Sequence, residues 1–444
     1  MSLKETIRSA IAPLYIRSKL LQERIQSGVA WYPLDPGFIA DPYPTYQRLL
    51  ERDPLHRSAL TGALVVTRYQ DVDAILRDQQ RFRNELRATP GRLASARALQ
   101  ELTPSLLNLD PPDHSRLRGL VNRAFSPRQI NKMEDSIRET AHALLDEVGD
   151  SNEFDLISNL ATLLPMIVIA KMIGVPTEDR ERFKKWSHQF ARVLEPNLTT
   201  AESDLVFKTA DEFRNYFAPI IERRRGSPSD DLVSELVRAE ENGQKLTTEE
   251  TEVTLRLLLV AGNETTTNLI GNGLRALLQF PEQLDLLRNQ PQLIENAIEE
   301  LLRYDPPVQL DARYVPEEVK IGDKVAKGNS RVVLLIGAAN RDSEQFDEPN
   351  TLDITRPDSG NISFGRGIHH CLGAPLARLE ARIAFEVLLD RFDQIQFTEK
   401  EPVYKPNIVL RGLHEFPVRV HQRNGRSYSG SQSLIENAPG KSRD

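Results

Sequence analysis

A single cysteine, Cys371, stands in a chain of 444 residues, so no internal disulfide can form and the composition fits a reducing compartment. That thiol is left as buried filler, a nucleophile or a metal ligand. Long apolar runs are also missing: the longest, 161–170 and 332–339, fall well short of the ~20 residues that span a bilayer. Residues 1–33 carry Lys4, Arg8, Arg17, Lys19, Glu23 and Arg24 among their apolar positions, and so contain no signal-peptide core. Secretion is not expected, no membrane span is expected, and the chain is expected to be cytoplasmic. No block rich in Lys and Arg occurs and the formal net charge is -7, which gives no reason to expect nucleic acid or an anionic membrane as partner. No internal repeat is evident.

What is present is an ordinary globular composition, 39% apolar and 27% charged, in a chain long enough to bury a large core. Apolar residues recur at three- and four-residue spacings over 134–148, 231–241, 292–304 and 374–392, which predicts helices there. Strand-like runs are fewer and shorter: 64–67, 320–321, 331–336 and 418–421. The fold class is therefore mainly α with a smaller β part. From Asn424 the chain is rich in Ser, Gly and Asn without periodicity, and 424–444 is expected to be disordered.

One predicted helix is a landmark. Thr247-Thr248-Glu249-Glu250 reads as a capping box, apolar residues recur to Leu278, and Phe280-Pro281 supplies the stop. At 1.5 Å per residue, 248–279 would measure roughly 48 Å and cross a whole domain. Its middle, Ala261-Gly262-Asn263-Glu264-Thr265-Thr266-Thr267, is a poor helix sequence whose Gly and hydroxyls are expected to open the backbone ladder.

The chemistry-bearing segment is Phe364-Gly365-Arg366-Gly367-Ile368-His369-His370-Cys371-Leu372-Gly373, which runs into a helix carrying Pro375 at its second position. A cysteine at a helix N-terminus meets unpaired N–H groups and the positive end of the dipole, both of which favour thiolate. Gly365, Gly367 and Gly373 would allow tight turns and close backbone approach. Inert burial, zinc held by His369, His370 and Cys371, and a Cys-His nucleophile all remain open on these residues alone, although consecutive residues converge poorly on a tetrahedral metal.

The same ten residues resemble the haem-binding signature of the cytochrome P-450 family, Phe-Gly-x-Gly-x-His-x-Cys-x-Gly, at every fixed position. The resemblance extends in order from about residue 41 to 420. It implies a P-450 fold, with a single haem-thiolate catalytic domain over 34–423 and an N-terminal extension over 1–33. By resemblance Cys371 is the thiolate ligand to the iron of haem b, in a site that includes Phe364, Gly365 and Gly373. His369, His114, Arg118 and Arg313 would hold the propionates, His114 and Arg118 sharing a helical face. Glu300 and Arg303, read alone a modest i, i+3 pair on a solvated face, would lock with Arg356. Glu264 and Thr265 would be the acid and alcohol that deliver protons to bound dioxygen.

The function this implies is a monooxygenase that inserts one atom of dioxygen into a C–H or C=C bond of a lipophilic small molecule. Electrons would come from NAD(P)H through a separate ferredoxin and ferredoxin reductase, and an acidic ferredoxin could dock on Arg116, Arg123, Arg366, Arg378 and Arg382. A hydrogen peroxide-dependent peroxygenase and a haem-binding sensor are the alternatives. By family position the substrate pocket would draw on the loop 84–107, the region 187–206, and Leu257, Val260, Ala261, Val308, Gln309 and Val409.

Overall fold

The computed structural model describes residues 3–84, 102–125, 127–196, 198–241, 243–357 and 360–423; the expected tail and most of the loop 84–107 lie outside them. The central helix runs from Thr248 to Gln279 without interruption, with both hydrogen bonds of the Thr247/Glu250 capping box in place. Most of it is buried, packed by Leu163–Ile173, Arg180–Ala191, Thr200–Gly226, Ile294–Tyr304 and Ala374–Arg391. Polar residues on such a helix need partners inside the protein. Asn263 Nδ2 donates to Ser187 Oγ at 3.0 Å, Thr267 Oγ1 to the Ala161 carbonyl at 3.0 Å, and Asn272 Nδ2 to the Arg411 carbonyl at 3.1 Å.

Other elements follow the sequence with small shifts. The helix Glu134–Val148 has the expected bounds, Ile294–Tyr304 is preceded by the short turn of helix Pro291–Leu293, and Ala374–Arg391 gives way to strand Phe392–Phe397. The helix expected over 231–241 is shorter. Asp231 caps Leu232–Arg238, and Glu240–Glu241 instead pairs with Gln244–Lys245 as a hairpin. A helix the periodicity did not single out, Thr200–Gly226, begins at a second capping box, Thr199 with Glu202.

A four-stranded sheet supplies one wall of the site. Leu55–Arg57 pairs antiparallel with Leu64–Val66, which runs parallel to Ser330–Leu335, and Leu310–Val315 closes the sheet antiparallel. Both faces are covered: Leu64, Val66, Val332 and Leu334 pack into one apolar cluster, Val65, Val333 and Leu335 into the other. That two-sided burial accounts for the continuous apolar runs at 64–66 and 332–335.

The Glu300–Arg303 pair is not a solvated face. Arg303 is 0% and Glu300 1% exposed, and the fork is bidentate, Nε to Oε2 at 2.7 Å and Nη2 to Oε1 at 2.8 Å. Arg356 Nε reaches Glu300 Oε2 at 3.3 Å, and Arg303 also donates to the carbonyls of Asn340, Pro349 and Thr351. Removing one partner of so buried a network typically costs about 3–5 kcal/mol. It staples the loop preceding the cysteine to the helix Ile294–Tyr304.

Candidate active site

The cysteine loop is shaped by two left-handed glycines, Gly365 at φ +70° and Gly367 at φ +67°. A Cβ on Gly367 would lie 2.7 Å from the Leu76 carbonyl oxygen, so the chain passes there only without a side chain. Gly373 is different: its φ is -82°, and an added Cβ would meet nothing nearer than Cys371 Sγ at 4.0 Å. It is not required for the turn. Its backbone N–H and that of Ala374 point at the sulfur, while the Cys371 N–H donates to the Phe364 carbonyl at 2.9 Å.

Burial nevertheless pushes the Cys371 thiol up, outweighing those two donors and the Arg118 and Arg378 guanidinium groups. The helix-end donors favour the thiolate, as expected, and burial opposes them. A coordinated metal cation would reverse it, since a ligating thiol gives up its proton.

Beside the sulfur, the His114 and His369 rings lie 4.2 Å apart between centroids, tilted by 53°. His114 is 2% exposed, and neither of its ring nitrogens meets a hydrogen-bond partner among the described residues. Burial, then His369 and Arg118, hold it down at about 4, so it is neutral. His369 Nε2 is likewise without a hydrogen bond, its nearest carboxylate oxygen being Asp110 Oδ1 at 3.9 Å. Arg118 donates to the His370 carbonyl at 2.8 Å, and the buried Arg313 to Asp311 Oδ2 at 2.6 Å. The residues that resemblance placed on haem, His114, Arg118, Arg313, Phe364, Gly365, His369, Cys371 and Gly373, all line one cavity. Orphaned buried donors facing a cavity with a cysteine sulfur in its wall fit a cofactor that carries carboxylates and accepts a thiolate. Zinc fits poorly, because no three His, Cys, Asp or Glu side chains among the described residues are grouped to hold a metal ion.

The cavity measures about 1170 Å³, above the roughly 300–1,000 Å³ usual for a single small-molecule site. Its opposite wall is the central helix, through Leu257, Val260, Ala261, Gly262, Thr265 and Thr266. The helix is not opened there: Thr265 Oγ1 donates to the Ala261 carbonyl at 2.6 Å, a back-bond that adds to the ladder without breaking it. Glu264 does not reach the cavity. It turns away to Lys405, whose Nζ is 2.6 Å from Oε2. Burial pushes its carboxyl up, but His188 and Lys405 overrule this and hold it at about 2. Lys405 is the stronger partner, being close and mostly shielded from solvent, whereas the exposed His188 ring is 3.8 Å away.

Val308 and Val409 also line the cavity; Gln309 does not. Along an extended segment neighbours alternate sides, and Val308, bridged to Leu410, takes the inward position. Gln309 is directed into a polar cluster, donating to Tyr43 Oη at 3.3 Å and the Pro306 carbonyl at 2.9 Å. From the region 187–206, Phe190, Val193, Leu194 and Pro196 contribute, and Ile16, Trp31, Tyr32 and Pro33 of the N-terminal extension join the wall with Leu34.

Three residues were not singled out by the sequence. Glu380 lines the cavity beneath Thr266, and burial lifts it to about 8, so it is protonated at neutral pH. Helical spacing from Gly373 and Ala377 could have flagged it. Glu195, 0% exposed, accepts the backbone N–H groups of Ile408 at 2.8 Å, Val409 at 3.1 Å and Leu410 at 3.0 Å, joining two cavity walls. Nothing local in the sequence marks it, or Lys405. On the sulfur side, Arg116 pairs with Glu250, Arg366 with Asp73, Arg378 with Glu299 and Arg382 with Glu134, while the Arg123 side chain lies outside the described residues. The positive field of that face is weaker than its arginines alone indicate.

Comparison with known proteins agrees with this geometry. Residues 58–417 match the profile of the family described as Cytochrome P450. The polyketide biosynthesis cytochrome P450 PksS of Bacillus subtilis is 39% identical over 403 residues, covering 88% of this chain and 98% of that protein. Vitamin D(3) 25-hydroxylase of Pseudonocardia autotrophica is 39% identical, covering 87% and 96%. The crystal structure of P450BioI in complex with an acyl carrier protein ligated to hexadec-9Z-enoic acid superposes with a TM-score of 0.80 at 37% identity, covering 87% and 99%. No helix among the described residues is long and apolar enough to cross a membrane. The chain belongs to the cytochrome P450 family, whose monooxygenases bind haem through a cysteine thiolate and depend on redox partners and dioxygen.

Proposed function

We propose that this monooxygenase inserts one atom of dioxygen into a lipophilic small molecule, with electrons passed from NAD(P)H by a separate ferredoxin reductase and ferredoxin. The observation that carries the reading is the single cavity joining Cys371 and the His114/His369 pair on one side to Thr265 and an apolar wall on the other. Bound haem would supply the redox-active iron at which electrons and dioxygen meet.

Cys371 would ligate the iron, with the N–H groups of Gly373 and Ala374 directed at the sulfur to tune its donation. His114, Arg118, Arg313 and His369 would hold the two propionates, which would satisfy the histidine ring nitrogens that have no hydrogen-bond partner among the described residues. Leu257, Val260, Ala261, Val308 and Val409 would contact the substrate and exclude water from it. A vitamin D(3) hydroxylase and an acyl-binding structure among the relatives support lipophiles of steroid or long-chain type. Thr265 Oγ1 would hold a proton at the cavity wall, and Glu264 would exchange protons with solvent when it leaves Lys405.

The test begins with a screen of steroids and long-chain acids for the ferric spin-state change. With a hit, Thr265→Ala should keep haem content and the carbon monoxide spectrum, while product per NADH falls and released hydrogen peroxide rises. Wild-type coupling in that variant would contradict the proposed proton route. Full turnover with hydrogen peroxide alone would favour a peroxygenase, and no turnover with any donor a sensor.

A further inference from the structure

We infer that the N-terminal helix Leu3–Ser27 is a lipid-surface element that rests the cavity mouth against an anionic phospholipid bilayer. Five of the nine exposed large apolar side chains among the described residues fall within one short stretch: Leu14, Tyr15, Leu21, Ile25 and Leu34. Leu14 is 66%, Leu21 58% and Ile25 75% exposed, far beyond what scattered surface apolar residues require.

Helical geometry gathers them. At about 100° per residue, Leu14, Leu21 and Ile25 share an arc of roughly 40°, with Arg17 and Arg24 along one flank. The opposite face holds Ile16, Leu20 and Glu23, and it is pinned. Glu23, 2% exposed, accepts the Trp31 N–H at 2.9 Å and the Ala59 N–H at 2.6 Å and lies 3.3 Å from His56 Nε2. The stripe therefore cannot turn inward without breaking a buried carboxylate cluster.

Charge selects the occupant. Among the described side chains of this helix the basic ones are Arg17, Lys19 and Arg24, and the one acid, Glu23, is buried. The outward face is thus positive on a chain whose total is -7, which is why the whole-chain count gave no hint of it. An apolar stripe flanked by cations suits the boundary between acyl chains and anionic headgroups. Two copies paired antiparallel through this stripe would instead set their arginine flanks against each other.

Position ties the surface to the site. Ile16 on the pinned face, Tyr32, Pro33, Leu34 and Leu60 all line the cavity, so the helix forms part of its rim. A lipophile dissolved in the bilayer would meet the mouth without crossing bulk water; this last step rests on the lipophilic substrate proposed above, whereas the docking itself does not.

The experiment is flotation of the purified holoenzyme with vesicles of phosphatidylcholine alone or with phosphatidylglycerol. Binding should require phosphatidylglycerol and weaken with added salt. The double variant Leu21→Gln/Ile25→Gln should bind about tenfold more weakly or worse, with circular dichroism and the carbon monoxide spectrum unchanged. Arg17→Glu/Arg24→Glu should lose binding while leaving every apolar contact in place, which keeps the test valid if the first variant misfolds. Failure of wild type to float with phosphatidylglycerol, or undiminished flotation of both variants, would overturn the inference. So would sedimentation showing a wild-type dimer that the Leu21/Ile25 variant dissociates, since the stripe would then be covered by a second copy. None of these outcomes bears on Cys371, whose spectrum is read separately.

Discussion

Lys405 Nζ lies 2.6 Å from Glu264 Oε2, closing a buried ion pair between a turn near the C-terminal end of the chain and the middle of the central helix. The carboxylate one residue before the cavity-facing Thr265 is thereby held in a stable charged state and turned away from the cavity. Proton delivery through Glu264, as proposed, would require this pair to open, and Lys405 would set its cost.

Replacing the lysine by Lys405→Met should leave burial free to push Glu264 up. In the wild type the carboxyl sits near 2 when folded against 4.5 when free, so its stabilisation is complete above 4.5 and is lost as pH falls toward 2. That contribution is at most on the order of 3 kcal/mol. Urea midpoints measured across this acid range should fall steeply in the wild type and much less in the variant. Identical acid dependence in both would show that Lys405 is not what holds Glu264 down.

Glu380 predicts the opposite limb. Burial raises its folded value to about 8 from 4.5, so the folded state binds the extra proton and its contribution is fully present below 4.5 and lost as pH rises through 8. Glu380→Gln, which keeps the shape of the protonated acid, should raise thermal stability on the alkaline side and change it little below pH 4.5. An equal shift at both ends would mean that packing, and not ionisation, separates the two proteins.

Much of this was legible because it is local. The cysteine loop is ten consecutive residues, and the central helix carries its own start and stop at Thr247 and Phe280. What the sequence hid is long-range or stereochemical. Lys405 and Glu264 are 141 residues apart, and Glu195 lies more than two hundred from the three N–H groups it binds. Family position places Val308 and Gln309 in the pocket together, but the two-residue alternation of an extended segment sends Gln309 the other way. At Cys371 the helix-end donors are visible in sequence, but the burial that opposes them is not.

The Glu195 junction predicts a kinetic effect. Glu195→Ala would orphan three backbone N–H groups at a cost of about 1–3 kcal/mol for each one left buried. Because it ties Val193, Leu194 and Pro196 to Ile408, Val409 and Leu410, all in the cavity wall, ligand should enter and leave faster in the variant. Stopped-flow spin-state traces should show both rates raised, with the carbon monoxide spectrum intact. Unchanged rates would assign Glu195 to stability alone.

The central claim, that Cys371 presents a thiolate to haem iron, is tested most directly by the optical spectrum of the reduced, carbon monoxide-bound protein. The wild type should show the strongly red-shifted Soret band of thiolate-ligated haem, and Cys371→His should bind haem without that band. A wild-type spectrum lacking the red-shifted band, or its persistence in Cys371→Ser, would contradict the assignment.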